Sequence, residues 1–101
     1  RHEDAYVLIR QIPERAIVAT QENLTPHVSS RPNAFLLRWG PTVDTEYLLL
    51  EPATLRSDEK LATSPAIQSG QFGVIAEQGG FVLLKKGVDA SKNQAFLSRL
   101  P

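Results

Sequence analysis

Apolar residues near the start of the chain recur with a helical period. Four of them stand at i, i+3, i+4 and i+7, namely Ala5, Leu8, Ile9 and Ile12. This spacing predicts one helix over residues 3–12, with its apolar face turned towards a core. Pro13 ends the helix, because the residue before a proline is pushed out of helical backbone geometry.

Three short apolar runs then follow, and the first is continuous rather than alternating, a pattern typical of strands that are buried on both faces. They cover residues 16–20, 34–39 and 46–52. Pro41 follows the second run and Pro52 closes the third, and a proline at such a point favours the end of a strand. The three runs therefore predict three short strands, of which the first is expected to be buried on both faces and the third is apolar on both sides at residues 48–50.

The second half of the chain predicts a helical region and then a hairpin. Residues 53–70 favour one broken helix or two short ones, because Pro65 suits the first position of a new helix. Residues 72–87 predict a β-hairpin turned at Gly79 and Gly80, where glycine supplies the positive φ of a tight turn.

With a last helix over residues 90–100, this order of elements predicts an α/β fold in a single domain, residues 1–101. Helices that alternate with strands favour a mostly parallel sheet of about five strands. The C-terminal hairpin is expected to add an antiparallel part at one side. Helices on both faces would complete a three-layer arrangement.

Composition narrows the classes of function. The 11 basic and 11 acidic residues give a formal net charge of zero, which argues against a nucleic-acid partner, since such a surface needs clustered Lys and Arg. Cysteine is absent and only two histidines are present, so the chain offers neither a thiolate nucleophile nor a Cys-ligated zinc site. We expect no metal and no cofactor.

A polar segment, QENLTPHVSSR at residues 21–31, follows the carboxyl end of the first predicted strand, where α/β sheets usually bind ligands. Five of its side chains are candidate ligand-binding residues: Gln21, Asn23, His27, Ser29 and Arg31. In this hypothesis Arg31 holds an anionic group and His27 orients it. The alternative is a structural connector, whose polar side chains satisfy the ends of a short helix opened by Pro26.

Catalysis is less well supported, and no catalytic residue is assigned. Spacing gives His27 no nucleophile or carboxylate partner. Glu46 and Glu51 lie at opposite ends of one predicted strand, so they are expected to be solvated charges rather than an acid–base pair. Trp39 is expected to pack at the end of a strand. A free-standing small enzyme is therefore the least favoured interpretation.

Three longer stretches allow a comparison with a known family. They are IPERAIVATQENLTPHVSSRPNAFLL, EYLLLEP and GQFGVIAEQGGFVLLKKG, at residues 12–37, 46–52 and 70–87. They resemble the soluble C-terminal domain of predicted bacterial polytopic membrane proteins of unknown function. Those proteins in turn resemble lipid-linked-sugar glycosyltransferases of the GT-C type. The matching positions are Asn23, Leu24, Pro26, His27, Ser29, Arg31, Tyr47, Leu49, Gly73, Val74, Gly80, Leu83 and Gly87.

The resemblance implies a non-catalytic accessory domain on the extracytoplasmic, periplasmic side of the bacterial cytoplasmic membrane. Its expected partners are the membrane-embedded part of the same polypeptide and a lipid-linked sugar or glycan, which it would help to bind or position. The chain would be a soluble tail excised from that larger protein, and its start at Arg1 rather than Met favours the same interpretation. Glu46, Glu51 and Phe72 depart from the family pattern, which has Asp, Asp and Tyr there.

The alternative function is a protein-interaction or dimerisation module without a small-molecule ligand. The predicted strand at residues 81–86 is expected to offer an edge to which a partner's strand could be added. Lys85 and Lys86 are also the kind of residue that guards an edge against such pairing.

Overall fold

The structure, a computed structural model, describes residues 2–37, 41 and 44–98. The helices in this part of the chain are α1 (His2–Ile9), α2 (Thr25–Val28), α3 (Ser57–Gln68) and α4 (Asn93–Leu97). The strands are β1 (Val18–Thr20), β2 (Ala34–Leu36), β3 (Tyr47–Leu50), β4 (Phe72–Gln78) and β5 (Phe81–Lys86). Two 3-10 turns cover Glu22–Leu24 and Pro52–Thr54. Trp39 and the end of the predicted last helix lie outside the described residues.

The five strands form one mixed sheet in the order β2-β1-β3-β5-β4. The prediction of a mostly parallel sheet is wrong. Only β2, β1 and β3 are parallel, and their two ladders hold three residue pairs each, whereas the antiparallel ladders of β5 with β3 and with β4 hold four and six. The hairpin strands are longer than the parallel strands, and a tight turn can only join antiparallel neighbours. Antiparallel pairing therefore dominates.

The position of β5 corrects a second expectation. The strand at residues 81–86 lies between β3 and β4 and is paired along both sides, so it offers no edge to a partner. The chain leaves β3 through α3, reaches the outer position with β4 and then folds back into the gap beside β3. The two edges of the sheet are β2 and β4.

Alternate residues of the strands feed two separate apolar clusters, one on each face of the sheet. On the first face α1 and α2 pack against β3 and β5, with Leu8, Val28 and Leu49 in the cluster. On the second face α3 packs through Ala66 and Ile67 onto the other side of the same strands. All four residues of β3 are buried, as the unbroken apolar run predicts for a central strand.

The region around residues 53–70 contains one continuous helix, α3, with Pro65 inside it. A proline in a helix interior removes one N–H from the hydrogen-bond ladder, so the sequence favoured a break there. Pro65 is exposed, whereas the following Ala66 and Ile67 are buried in the second core cluster. Packing of that apolar side holds the helix together across the proline, and Gly70, with φ of 80°, follows its end.

The hairpin turn forms as predicted, with φ of 55° at Gly79 and 90° at Gly80. Gly79 also lies against the start of α1, because a Cβ added there would stand 2.1 Å from a carboxylate oxygen of Asp4. Gln78 donates to the same carboxylate at 3.0 Å. The first helix and the last hairpin are thereby joined at one corner of the molecule.

Candidate functional site

The five residues predicted to bind a ligand lie in two separate places. Gln21 and Asn23 follow the carboxyl end of β1, whereas α2 carries the chain back along the sheet so that Arg31 lies at the amino end of the same strand. A backbone hydrogen bond fixes this position of the chain after α2: the N–H of Val18, at the start of β1, donates to the carbonyl of Asn33 at 3.0 Å. The polar segment therefore spans the length of the parallel strands rather than forming one loop at their tips.

Gln21 is fully buried and links β1 to the segment that follows β3. Its Nε2 donates to the Glu51 carbonyl at 3.2 Å and to Thr54 Oγ1 at 2.8 Å. Its Oε1 accepts the N–H of Glu51 at 2.7 Å. A buried amide needs partners for both of its ends, and here the backbone and side chains beside β3 supply them.

Thr54 joins this arrangement to Asn23 and to the Glu51 side chain. Its Oγ1 accepts Asn23 Nδ2 at 2.9 Å and donates to Glu51 Oε1 at 2.8 Å. Gln21, Asn23, Glu51 and Thr54 are called the carboxyl-end clasp below. The clasp ties together the carboxyl ends of two parallel strands, with Gln21, Glu51 and Asn23 running from the core to the surface.

Next to the clasp, Glu59 anchors the start of α3. This carboxylate is 1% exposed and accepts two backbone N–H groups, those of Arg56 at 2.9 Å and Glu22 at 2.8 Å. The first bond satisfies a donor at the helix start, and the second ties α3 to the turn after β1. The sequence carries no capping-box signal for Glu59, because the residue three positions earlier is Arg56 rather than Ser or Thr.

Arg56 forms an exposed charge cluster at the same end. Its guanidinium donates to Glu22 Oε1 at 2.8 Å and to Asp58 Oδ2 at 3.1 Å. The hydrogen bond and charge of Arg56 lower the pKa of the Asp58 carboxyl below its ordinary value. The pKa of Arg56 is raised in turn, chiefly by its hydrogen bond to Asp58. Because all three side chains are about half exposed, solvent screens this cluster.

Arg31 lies at the other end of the parallel strands and holds the end of α1. Its Nη1 donates to the Pro13 carbonyl and its Nη2 to the Ile9 carbonyl, both at 2.9 Å. A cation beside the last carbonyls of a helix is favourable, since those groups carry the negative end of the helix dipole. Arg31, Ile9 and Pro13 are called the amino-end clasp below.

His27 and Ser29 make local contacts on the surface of α2. The imidazole of His27 stands edge-on to the ring of Tyr6 in α1, with ring centroids 5.4 Å apart and an angle of 89°. The hydroxyl of Ser29 donates to the Pro26 carbonyl at 3.3 Å. His27 therefore contributes to the packing of α2 on α1, and neither side chain lies with Gln21.

The remaining polar candidates are also placed by the structure. Glu46 Oε1 accepts the N–H of Ile17 at 3.0 Å, so it ties the amino ends of β1 and β3. Glu51 lies at the far end of β3, as the sequence indicates, but it is only 3% exposed, so the expectation of a solvated charge is wrong for this residue. Its carboxylate is held inside the carboxyl-end clasp by Thr54. Among the residues that the structure describes, no group of three or more His, Asp or Glu side chains is arranged to hold a metal ion.

An open groove of about 420 Å³ lies at the start of α3, lined by Leu55, Ser57, Lys60 and Leu61. It borders the carboxyl-end side of the molecule but includes none of the five predicted residues. Its apolar lining comes from Leu55, which is buried, and Leu61, which is 77% exposed.

Comparison with protein-family models, with curated proteins and with solved structures finds no match to this chain. Within the described residues, no helix combines the length and the apolar character that crossing a membrane requires.

Proposed function

We propose that this chain is a non-catalytic accessory domain of a polytopic, glycosyltransferase-like bacterial membrane protein. It sits on the extracytoplasmic side of the cytoplasmic membrane and is covalently continuous with the membrane-embedded part. There it helps to bind or position a lipid-linked sugar or glycan. The support for this context is the resemblance of residues 12–37, 46–52 and 70–87 to the soluble tails of such proteins.

The observation that carries the non-catalytic part of the proposal is the use of the polar segment. Gln21 uses both ends of its amide on Glu51 and Thr54, and Arg31 uses two guanidinium nitrogens on the carbonyls of Ile9 and Pro13. Groups that act on a substrate need to face it. These groups instead fix the shape of the domain.

In this proposal the contacts to a glycan come from the exposed part of the segment. Asn23, Pro26 and Ser29 are exposed, and they are carried on a turn and a short helix that the two clasps hold at both ends. A rigid, polar surface of this kind suits sugar hydroxyls, because little conformational entropy is lost when it binds. The domain then acts by shape and position, and any chemistry belongs to the membrane-embedded part.

The test is a titration of the ¹⁵N-labelled chain with a polyprenyl-phosphate sugar in micelles and, separately, with a soluble glycan. We expect shifts in the amides of residues 22–25 and 27–30 and no turnover of the sugar. Asn23→Ala should weaken binding, whereas the matched control Gln68→Ala, at an exposed position of α3, should not. Arg31 is a poor test position, because its loss disturbs α1.

Two results would contradict the proposal. Hydrolysis or transfer of the sugar by the isolated chain would show that the domain is catalytic. Reading the parent gene upstream of Arg1 tests the context independently, since we expect several long apolar segments there. An upstream region without any such segment would remove the membrane part of the proposal.

A further inference from the structure

One aromatic side chain of α1 lies outside the core. Other positions form the buried apolar face of the helix, and Tyr6 falls beside that face with 41% of its surface exposed. The imidazole of His27 meets the Tyr6 ring at 89°, so the edge of one ring points at the face of the other. Whichever ring supplies the edge, His27 leaves at least one face of Tyr6 uncovered. The contact therefore fixes the orientation of an aromatic ring that is partly open to solvent.

Charged side chains precede and follow Tyr6 on the same side of α1. Residues three and four positions apart are neighbours on a helix, so Glu3, Tyr6 and Arg10 form one exposed row, called the α1 row below. The N–H of Arg10 donates to the Tyr6 carbonyl at 3.0 Å, which keeps Arg10 on the helical course just past Ile9. The row thus offers a hydrogen-bond acceptor at one end, a ring in the middle and a cation at the other end.

Arg31 adds a second positive charge at the cationic end of the row. Its guanidinium is held on the carbonyls of Ile9, the residue before Arg10, and of Pro13. Both acceptors are neutral, so they do not compensate the charge. Within the part of the chain that the structure describes, neither Arg10 nor Arg31 forms an ion pair, and the exposed Glu14 is no exception. Two uncompensated cations beside an aromatic ring favour an anionic partner.

The order of groups along the α1 row indicates the class of ligand. An aromatic face packs against the C–H face of a sugar ring, a carboxylate accepts sugar hydroxyls, and a guanidinium binds phosphate. A phosphate bonded directly to the sugar ring suits neighbours about 5–6 Å apart on one helix face. A nucleotide instead carries its phosphate on a ribose, further from the base that would stack. The row therefore fits a glycosyl phosphate, with the phosphate at Arg10 and away from Glu3.

We infer that the α1 row binds the glycosyl-phosphate part of a ligand, with the sugar on Tyr6 and the phosphate on Arg10. Arg31 supports the phosphate through its fixed charge and keeps its structural hydrogen bonds. The inference rests on the proposed function for the source of the ligand, a lipid-linked sugar. It adds α1 to the surface of the polar segment, to which the contact of Tyr6 with His27 joins it.

The first test titrates the ¹⁵N-labelled chain with glucose 1-phosphate, glucose and inorganic phosphate, and follows the ring protons of Tyr6 and the amides of residues 6–10. We expect glucose 1-phosphate to bind on the order of tenfold more tightly than either fragment, because it engages both the ring and the cation. Equal affinity for inorganic phosphate would reveal a simple anion site and overturn the inference. Tighter binding of adenosine 5′-monophosphate would overturn it in favour of a nucleotide.

Four variants separate the ring from the charge. Arg10→Gln should weaken the binding of glucose 1-phosphate on the order of tenfold. Lys92→Gln, the same charge change at an exposed position just before α4, is the matched control and should leave binding intact. Tyr6→Leu should weaken binding several-fold, whereas Tyr6→Phe keeps the ring and should retain it. Circular dichroism checks that all four fold. Binding that Arg10→Gln and Tyr6→Leu leave unchanged overturns the inference.

A polyprenyl-phosphate sugar in micelles separates this inference from the proposed function. If it binds and Asn23→Ala weakens its binding but Arg10→Gln does not, the accessory function stands and the glycosyl-phosphate site is refuted. If glucose 1-phosphate binds at Tyr6 and the lipid-linked sugar does not bind, the site stands and the lipid-linked source is refuted. We expect both ligands to bind and Arg10→Gln to weaken both.

Discussion

The two clasps hold opposite ends of the same parallel strands, and they do so by different means. The carboxyl-end clasp centres on a neutral amide, Gln21, that is fully buried and bonded at both ends. The amino-end clasp uses a charged, partly exposed Arg31 on two backbone carbonyls. Where water is excluded, a lost partner leaves a buried group unsatisfied; where water has access, it can replace the lost partner. The carboxyl end should therefore be much less tolerant of substitution.

The largest expected effect comes from Gln21→Leu. The side chain keeps a similar size, but the buried N–H of Glu51 loses its acceptor and Thr54 loses a donor. We expect a loss of about 3 kcal/mol in the free energy of unfolding. Urea unfolding followed by circular dichroism measures it. Asn23→Ala, at the exposed end of the same clasp, is the control and should cost less than about 1 kcal/mol. Equal costs for the two variants would mean that burial does not set the difference.

Glu59→Gln probes the carboxyl end beside the clasp. Both carboxylate oxygens of Glu59 accept backbone N–H groups. In the glutamine variant one of these oxygens becomes an NH2 group, which is itself a donor, so one backbone N–H loses its acceptor. We expect a loss of about 2 kcal/mol and faster hydrogen exchange at the first turn of α3. Glu77→Gln, at an exposed position of β4, is the matched control and should change little. Unaltered exchange in α3 would contradict the anchoring role.

Arg31→Gln tests the amino end. The helix α1 loses a cation at its end, but Arg31 is partly exposed and the Pro13 carbonyl lies at an exposed residue, where water can replace the lost donor. We therefore expect a loss of only about 1 kcal/mol. Hydrogen exchange should show the effect in residues 10–12, with β3 unaffected. Arg15→Gln, at an exposed position beyond the end of α1, is the control. A cost as large as that of Gln21→Leu would refute the contrast between the two ends.

The smallest effect is a pH dependence at Asp58. Its pKa is lowered in the folded state by the hydrogen bond and charge of Arg56, so the pair contributes stability at pH values above the unfolded-state pKa. That contribution is lost as the pH falls through the lowered folded-state pKa. We expect the free energy of unfolding of Asp58→Asn to fall slightly less steeply as the pH is lowered. Unfolding curves measured between neutral and strongly acidic pH give this dependence. An unchanged profile would show that solvent screens the pair entirely.

Local signals made part of this fold predictable. The turn at Gly79 and Gly80 and the buried apolar face at the start of the chain depend on residues close in sequence, and both form as the pattern predicts. The end of α1 does not, since the helix stops at Ile9 rather than just before Pro13. The place of β5 between β3 and β4 is a long-range property, and no local signal separates an outer hairpin from one that folds into the sheet. The prediction of a helix break at Pro65 is wrong for a related reason. The packing of Ala66 and Ile67, which keeps α3 continuous, involves strands that are distant in the sequence.

The candidate site was predictable only in outline. The sequence located the polar segment after β1, and Gln21 does lie at the carboxyl end of the sheet. The partners that decide the roles are remote: Thr54 is 33 positions after Gln21, and Ile9 is 22 positions before Arg31. Spacing along the chain does not reveal such pairs, so ligand binding by Asn23, His27 and Ser29 stays a prediction for the titration above.

Because β5 supplies one neighbour of β3, the middle of this molecule is finished late during synthesis. Until Phe81 to Lys86 leave the ribosome, the apolar strand from Tyr47 to Leu50 has β1 on one side and nothing on the other. Such a nascent chain exposes an apolar strand with an unpaired edge, a surface that chaperones bind and that promotes aggregation. Truncations before the hairpin should accordingly be recovered as insoluble material, whereas removal of the last few residues should not have that consequence.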